Sequence, residues 1–97
     1  MSSANLAKNV PSKPLHDDRA AQLDRNIGII IGHLRRADGL SIADLANFTG
    51  SAEWEVARIE AGKQSPSLAF LMRVANQLSI DAGEMISAAE VLAKENE

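Results

Sequence analysis

The side chains best suited to chemistry in this sequence lie in one short stretch, GSAEWEVARIEAGK, residues 50–63. If this stretch is helical, Trp54 and Arg58 are one turn apart and project from the same side. A guanidinium donates hydrogen bonds in a fixed fork, and an indole offers a large apolar surface. Glu53 and Glu55 add two carboxylates beside them. These residue types predict recognition through hydrogen bonds and apolar contact.

No set of residues in the chain is suited to catalysis or to metal binding. There is no cysteine, and the two histidines, His16 and His33, stand apart from any partner. No nucleophile and base are recognisable, and no ligands recur at metal-binding spacing. We therefore expect no enzymatic activity, no metal and no cofactor, and we expect His33 to lie on the protein surface.

The composition predicts one small helical domain. A chain of 97 residues can build a modest core but not two domains. Hydrophobic residues make up 45% of it, and only Phe48, Phe70 and Trp54 are aromatic, so the core must be aliphatic. The longest apolar run, residues 68–72, is too short to span a bilayer, and no apolar signal-peptide core is present. We expect a soluble, cytoplasmic protein.

Charge is distributed unevenly along the chain. The formal net charge of −3 argues mildly against indiscriminate binding to nucleic acid. Residues 1–36 hold six of the ten basic residues, whereas residues 81–97 hold five acidic residues and Lys94 as their single base. One end of the molecule could face phosphate groups while the other avoids them. A solvated surface with scattered charge explains the same distribution equally well.

The N-terminal part predicts an arm followed by a helix. Residues 1–16 contain Pro11 and Pro14, lack helical periodicity and are made basic by Lys8 and Lys13, so we expect a disordered basic arm. A folded domain should occupy residues 17–97. Its first helix is capped by Asp17 or Asp18 and ends before Gly39. The apolar positions of this helix that recur at helical spacing are Leu23, Ile27, Ile30, Ile31 and Leu34, with Ile29 outside the stripe.

Two short helices should follow, over about residues 42–60. Ser41 and Asp44 have the spacing of a capping box, and Leu45 and Phe48 are expected to face inward from the second helix. After a turn at Gly50, the third helix should bury Ala52, Val56 and Ile59. Because alanine at position 52 cannot cap this helix, Ser51 is expected to do so.

Two further helices complete an all-α, five-helix bundle without internal repeats. The fourth should be capped by Ser67 and the fifth, over about residues 82–95, by Asp81 paired with Glu84. The residues expected inside are Leu68, Leu71, Val74, Ala75 and Leu78 in the fourth helix, and Met85, Ile86, Ala89 and Leu92 or Ala93 in the fifth. Two helices joined by a tight glycine-containing turn form a helix-turn-helix motif.

The motifs of residues 26–86 resemble those of the lambda-repressor-like (Cro/XRE-type) DNA-binding domain. The segments that carry the resemblance are LRRADGLSIADLANFTG and EVARIEAGKQSPSLAFLMRVANQLSID. The resemblance covers nearly all of the predicted folded part and implies a lambda-repressor-like five-helix bundle containing a helix-turn-helix. It also implies a structural ion pair between Arg35, late in the first helix, and Glu60, at the end of the third.

The resemblance further implies which residues would contact DNA. In this family the third helix lies in the major groove and the second crosses the phosphate backbone. The residues at the base-contacting positions are Glu53, Trp54, Ala57 and Arg58. The residues at the phosphate-contacting positions are Ser41, Ile42, Ser51, Lys63 and Gln64. The implied protein is a sequence-specific transcriptional regulator, a repressor that binds a double-stranded operator as a homodimer, with no small-molecule ligand and no membrane association.

Departures from the family pattern support an alternative. Ile42 replaces the usual glutamine, and residues 39–66 contain four acidic and two basic residues, a balance unfavourable for DNA. The exposed surface around Trp54 could instead bind another regulatory protein, making this chain an antiactivator or adaptor on the same fold. A third interpretation packs Trp54 against the second helix and pairs Glu55 with Arg58. For a homodimer, the fifth helix and Ile29 are alternative contact surfaces.

Overall fold

The computed structural model describes residues 18–95 as five α-helices. They are α1 (Asp18–Ala37), α2 (Ile42–Thr49), α3 (Glu53–Glu60), α4 (Leu68–Gln77) and α5 (Ala82–Glu95). No strand occurs in this part of the chain, so the predicted all-α bundle is confirmed. The predicted N-terminal arm, residues 1–16, lies outside the described residues, as do Asp17 and residues 96–97. Within residues 18–95, none of the helices has the length and apolar character needed to span a bilayer.

The core is mainly aliphatic and is assembled from all five helices. The helix α1 packs against α3 and α5, while α2 packs against α3 and α4. The buried apolar residues are Ile27, Ile31, Leu45, Ala46, Val56, Ile59, Phe70, Leu71, Val74, Ala75, Met85 and Ala89. Because the core holds α3 by Val56 and Ile59, the opposite side of this helix is left to solvent.

Four predicted positions in the core were wrong. Phe48 is 51% exposed because the buried side of α2 runs through Leu45, Ala46 and Thr49. Leu68 is 67% exposed at the start of α4, where Phe70 enters the core in its place. Ile86 lies at the edge of the buried side of α5, at 37% exposed, and Ala52 is only half-buried at the start of α3.

Side-chain caps begin three of the helices. Ser41 and Asp44 form the predicted capping box of α2: each side chain accepts a hydrogen bond from the backbone N–H of the other, both at 2.9 Å. The N–H and the hydroxyl of Ser41 hold the pKa of Asp44 below its ordinary value. Ser67 caps α4 as predicted. Asp81 accepts hydrogen bonds from the N–H groups at positions 83 and 84, so it caps α5 directly.

The helix α1 approaches the end of α3 closely at Gly28. A Cβ atom on Gly28 would lie 2.2 Å from the carbonyl oxygen of Ile59 and 2.8 Å from that of Glu60. Both oxygens belong to the backbone at the end of α3, which cannot move aside as a flexible side chain would. The missing side chain therefore sets the distance between α1 and α3.

One buried hydrogen bond joins α1 to α5. Asn26 is 4% exposed, and its Nδ2 donates to the carbonyl oxygen of Ala89 at 3.2 Å. Ala89 is itself fully buried, so the amide has its partner where water does not reach. The contact joins positions 63 residues apart and was not predicted from the sequence.

Candidate nucleic-acid interface

A tight turn after α2 determines where α3 begins. Gly50 has φ 67°, and the N–H of Ser51 donates to the carbonyl oxygen of Ala46 at 2.9 Å, a Schellman closure of the helix end. The hydroxyl of Thr49 is buried and donates to the carbonyl oxygen of Leu45 at 2.8 Å. Three residues therefore separate the two helices, which is the geometry of a helix-turn-helix.

The outer side of α3 is free of the protein core. Glu53, Trp54, Ala57 and Arg58 are all exposed, Trp54 by 63%. The structure brings these four predicted base-contacting residues together on one surface, which we call the recognition surface. The interpretation that packs Trp54 against the second helix was wrong, because the buried side of α3 consists of Val56 and Ile59.

Glu55 has a structural partner instead of the predicted one. Its Oε1 accepts a hydrogen bond from the backbone N–H of Ala52 at 3.2 Å, half of a capping box at the start of α3. Ser51 does not cap the helix, because Ala52 occupies the N-cap position and Ser51 lies one residue too early. The hydroxyl of Ser51 instead forms a hydrogen bond with that of Thr49, with the two oxygens 3.1 Å apart. Arg58 does not pair with Glu55 but bonds to the loop after α3.

We expect Glu55→Ala to lower the free energy of unfolding by about 1 kcal/mol, since it removes this hydrogen bond. Glu53→Ala removes the same charge from the same helix turn and serves as the control, so the difference between the two variants isolates the bond to Ala52. Urea unfolding followed by circular dichroism measures both. Equal losses in the two variants would show that only the charge near the helix start matters.

The loop after α3 folds back onto its last turn. Gly62 has φ 74°, the N–H of Gly62 donates to the carbonyl oxygen of Ile59 at 3.0 Å, and the N–H of Lys63 donates to that of Arg58 at 2.9 Å. These two bonds complete a Schellman motif, whose left-handed residue is most often glycine. The motif places Lys63 and Gln64 beside the side chain of Arg58.

The five predicted phosphate-contacting residues lie at three ends of α2 and α3. Ser41 is the exposed N-cap of α2, and Ile42 is half-buried in its first turn, where its backbone N–H has no intrahelical acceptor. Ser51 is half-buried in the turn before α3. Lys63 is exposed and Gln64 half-buried in the loop after it.

A groove of about 220 Å³ brings Ser51 and Gln64 together on the side of α3 that faces α4. Ser65, Ser67 and Arg73 also line it, and Arg73 donates to the carbonyl oxygen of Thr49 at 3.4 Å. Arg73 is a basic residue beside the helix-turn-helix that sequence reasoning missed. The helical spacing of α4 could have indicated this position, because it places Arg73 next to the buried Val74 but outside the apolar stripe.

Local electrostatics are less unfavourable to a polyanion than the sequence count of four acidic and two basic residues suggests. Glu60 is paired with Arg35, with Nε–Oε2 at 2.7 Å and Nη2–Oε1 at 3.0 Å, and both side chains are nearly buried between α1 and α3. This bond also raises the pKa of Arg35. Asp44 and Glu55 accept hydrogen bonds from backbone N–H groups at helix starts. Glu53 is the acidic residue of the recognition surface itself.

Within residues 18–95, no cluster of three or more histidine, aspartate or glutamate side chains could hold a metal ion. His33 is exposed on α1, as predicted, whereas His16 lies outside the described residues. The exposed side chains of α3 include an arginine, an indole and a carboxylate, which can recognise a partner through hydrogen bonds and apolar contact.

The helix α3 follows a three-residue turn, packs against the core on one side and is exposed to solvent on the other. This arrangement is that of a helix-turn-helix DNA-binding domain. The chain belongs to the helix-turn-helix family HTH_3, whose model matches residues 31–85. The family resemblance predicted from the sequence is thus confirmed, and the protein is a DNA-binding transcriptional regulator.

Solved structures of other proteins show the same fold. The restriction-modification controller protein C.AhdI from Aeromonas hydrophila has a TM-score of 0.61 and 31% identity, over 64% of this chain and 94% of that one. An HTH_3 family transcriptional regulator from Vibrio cholerae has a TM-score of 0.64 and 26% identity, over 77% of this chain and 43% of that one.

The clp gene regulator ClgR from Corynebacterium glutamicum has a TM-score of 0.68 and 19% identity, over 76% of this chain and 84% of that one. At this level of identity the likeness shows the fold alone. A comparison with curated proteins found no match. The proteins of these solved structures are described as a restriction-modification controller and a transcriptional regulator.

Proposed function

We propose that this protein is a repressor that binds an operator as a homodimer and places α3 in the major groove. The observation that carries the proposal is the recognition surface: Glu53, Trp54, Ala57 and Arg58 are exposed together, and none of them is needed in the core. An α-helix fits the major groove, where base pairs present distinguishable donors and acceptors.

The residue types of the recognition surface match base edges. Arg58 can donate bidentately to guanine O6 and N7, and Glu53 can accept a hydrogen bond from cytosine N4. Trp54 and Ala57 supply apolar contact for thymine methyl groups. The recognition surface thus combines a hydrogen-bond donor, an acceptor and two apolar side chains. Together they can distinguish base pairs and therefore specify a sequence.

Phosphate contacts would come from the helix ends around this surface. The candidates are the hydroxyl groups of Ser41 and Ser51, the backbone N–H of Ile42, and the side chains of Lys63 and Gln64. Isoleucine at position 42 offers no side-chain donor, so the backbone N–H at the positive end of α2 must serve there. Such contacts fix the register of α3 on the duplex.

A homodimer would double these contacts and supply the affinity that the DNA-binding domain of one subunit, with few positive charges, lacks. Among the apolar residues exposed away from the recognition surface, Ile86, at 37%, and Val91, at 54%, lie on α5, Ile29, at 55%, lies on α1, and Leu68, at 67%, and Met72, at 59%, lie on α4. Of the two contact surfaces predicted from the sequence, α5 presents two such residues and α1 presents one, so we assign the contact to α5. A symmetric dimer binds two half-sites about one helical turn of DNA apart.

The test is binding to the DNA upstream of the protein's own gene, measured by fluorescence anisotropy at two salt concentrations. We expect Arg58→Ala to weaken binding to the preferred sequence by roughly 5- to 150-fold, the value of one bidentate base contact. Arg36→Ala, which removes one positive charge from an exposed position of α1, is the matched control and should change the affinity little. Failure of the wild type to bind at low ionic strength would overturn the proposal.

A second candidate is a protein-binding antiactivator or adaptor, and the exposure of Trp54 favours it. An indole that is 63% exposed and flanked by a carboxylate is typical of an interface hot spot. On this alternative, Trp54→Ala abolishes co-purification with another regulator while the wild type ignores DNA. The two candidates therefore differ in the behaviour of the wild-type protein toward duplexes.

A further inference from the structure

The side chain of Arg58 is held by the loop that follows its own helix. Its Nε donates to Oε1 of Gln64 at 3.2 Å, and its Nη2 donates to the carbonyl oxygen of Lys63 at 3.2 Å. In the opposite direction, the N–H of Lys63 donates to the carbonyl oxygen of Arg58 at 2.9 Å. Three hydrogen bonds thus join this exposed arginine to two successive loop residues.

These bonds exist because of how α3 ends. The Schellman motif at Gly62 turns the chain back toward Arg58 instead of letting it continue along the helix axis. A Cβ atom at position 62 would lie 2.6 Å from Cγ of Arg25, so the turn is also packed against α1. The position of Gln64 relative to Arg58 is therefore fixed by the backbone.

We infer that Gln64 is a positioning residue that orients Arg58 for guanine, an inference that rests on the proposed operator recognition. A guanidinium has five N–H groups. With Nε and one N–H of Nη2 engaged, the free N–H groups belong to Nη1 and to the outer side of Nη2. These N–H groups of Nη1 and Nη2 lie at the outer end of the guanidinium, where one from each nitrogen can donate to guanine O6 and N7 together.

Orientation before binding matters because a free arginine has many rotamers. Ordering such a side chain at an interface costs affinity, and a side chain already held in place avoids part of that cost. Gln64 would thus raise preference at one base position without touching a base. Lys63 is different: it bonds to Arg58 only through its backbone N–H and carbonyl oxygen, so these bonds leave its ammonium group available for a phosphate.

The test uses the full-length protein and a library of duplexes with a randomised central segment. Selection with the wild type identifies the guanine that Arg58→Ala no longer prefers. Affinities are then measured for that duplex and for one with adenine in place of this guanine. We expect Gln64→Ala to lower the guanine preference by roughly 2- to 10-fold, the effect of ordering one flexible side chain, and to leave preferences at other positions unchanged.

Two variants make the result specific. Gln64→Glu keeps an acceptor for Nε and should keep the guanine preference, even if its charge weakens binding to all sequences. Lys63→Ala, the matched control, should weaken binding to both duplexes equally, because a phosphate contact carries no sequence information. In the free protein, the ¹⁵Nε–¹Hε signal of Arg58 should shift in Gln64→Ala and not in Lys63→Ala.

The inference is overturned if Gln64→Ala weakens binding to both duplexes equally, if Gln64→Glu loses the preference as Gln64→Ala does, or if the Arg58 signal does not respond to Gln64→Ala. In each of these results the wild type still selects a sequence, and the proposed function stands. If the wild type enriches no sequence, the proposed function itself is contradicted. The NMR measurement then shows separately whether Gln64 holds Arg58.

Discussion

Replacing Arg35 with alanine should lower the free energy of unfolding by about 3–5 kcal/mol, as expected when one partner of a buried ion pair is removed. Arg35 holds both carboxylate oxygens of Glu60 and donates from Nη1 to the carbonyl oxygen of Leu40 at 2.7 Å. The two charged side chains are only 10% and 11% exposed. Without the guanidinium of Arg35, the carboxylate of Glu60 loses its ion-pair partner between α1 and α3. Urea unfolding at neutral pH measures the loss.

Two controls test this explanation. Arg36→Ala removes the same charge from the next, exposed position of α1 and should change stability by less than about 0.5 kcal/mol. The double variant Arg35→Met/Glu60→Leu replaces both charges by apolar groups and should be more stable than Arg35→Ala, because no charge is stranded. A double variant as unstable as the single one would mean that packing at this position, and not the unpaired carboxylate, determines the loss.

The second large effect is expected at Gly28. Gly28→Ala should destabilise the fold by about 3 kcal/mol through steric conflict with the end of α3, the upper end of the range for overpacking. The better helix propensity of alanine returns up to about 1 kcal/mol, so we expect a net loss of about 2 kcal/mol. The clash is severe because a Cβ atom would meet two backbone carbonyl oxygens, at 2.2 and 2.8 Å. Thermal unfolding followed by circular dichroism measures the change.

Gly32→Ala, one turn further along α1, provides the comparison. A Cβ atom there would meet the carboxylate of Glu60 at 3.0 Å and the Arg36 guanidinium at 3.2 Å, which are side-chain ends that can shift slightly. We expect a clearly smaller loss than for Gly28→Ala. Equal stability of the two variants would contradict the claim that backbone contact limits the approach of α1 to α3.

Much of the fold could be predicted because helical spacing and capping residues are local. The Ser41–Asp44 capping box and the buried Val56 and Ile59 follow from positions a few residues apart. Phe48 and Leu68 were placed wrongly in the core. Local periodicity identifies the apolar side of a helix, but the packing of neighbouring helices determines which residues on that side are buried. The approach at Gly28 depends on a helix more than 30 residues away along the chain.

In the candidate site, too, the features set by local sequence could be predicted, whereas those set by contacts between distant segments could not. Exposure of Trp54 and Arg58 on one side of α3 follows from the helical period and from the apolar residues opposite. The role of Glu55 was misjudged because a carboxylate in a DNA-facing helix was counted as a charge, whereas the structure uses it as a backbone acceptor. The bonds of Arg58 to the following loop depend on a left-handed turn at Gly62, and Arg73 reaches the site only through packing of α4.

The buried amide of Asn26 also limits how the molecule can move. If α5 slid along its axis or turned about it, the carbonyl oxygen of Ala89 would leave the amide without a partner, at a cost of about 1–3 kcal/mol. The C-terminal helix therefore has no inexpensive sliding mode relative to α1, and α1 is in turn fitted closely to α3 at Gly28. A force applied to α5 at Val91 would therefore move α5, α1 and α3 together, and the recognition surface with them.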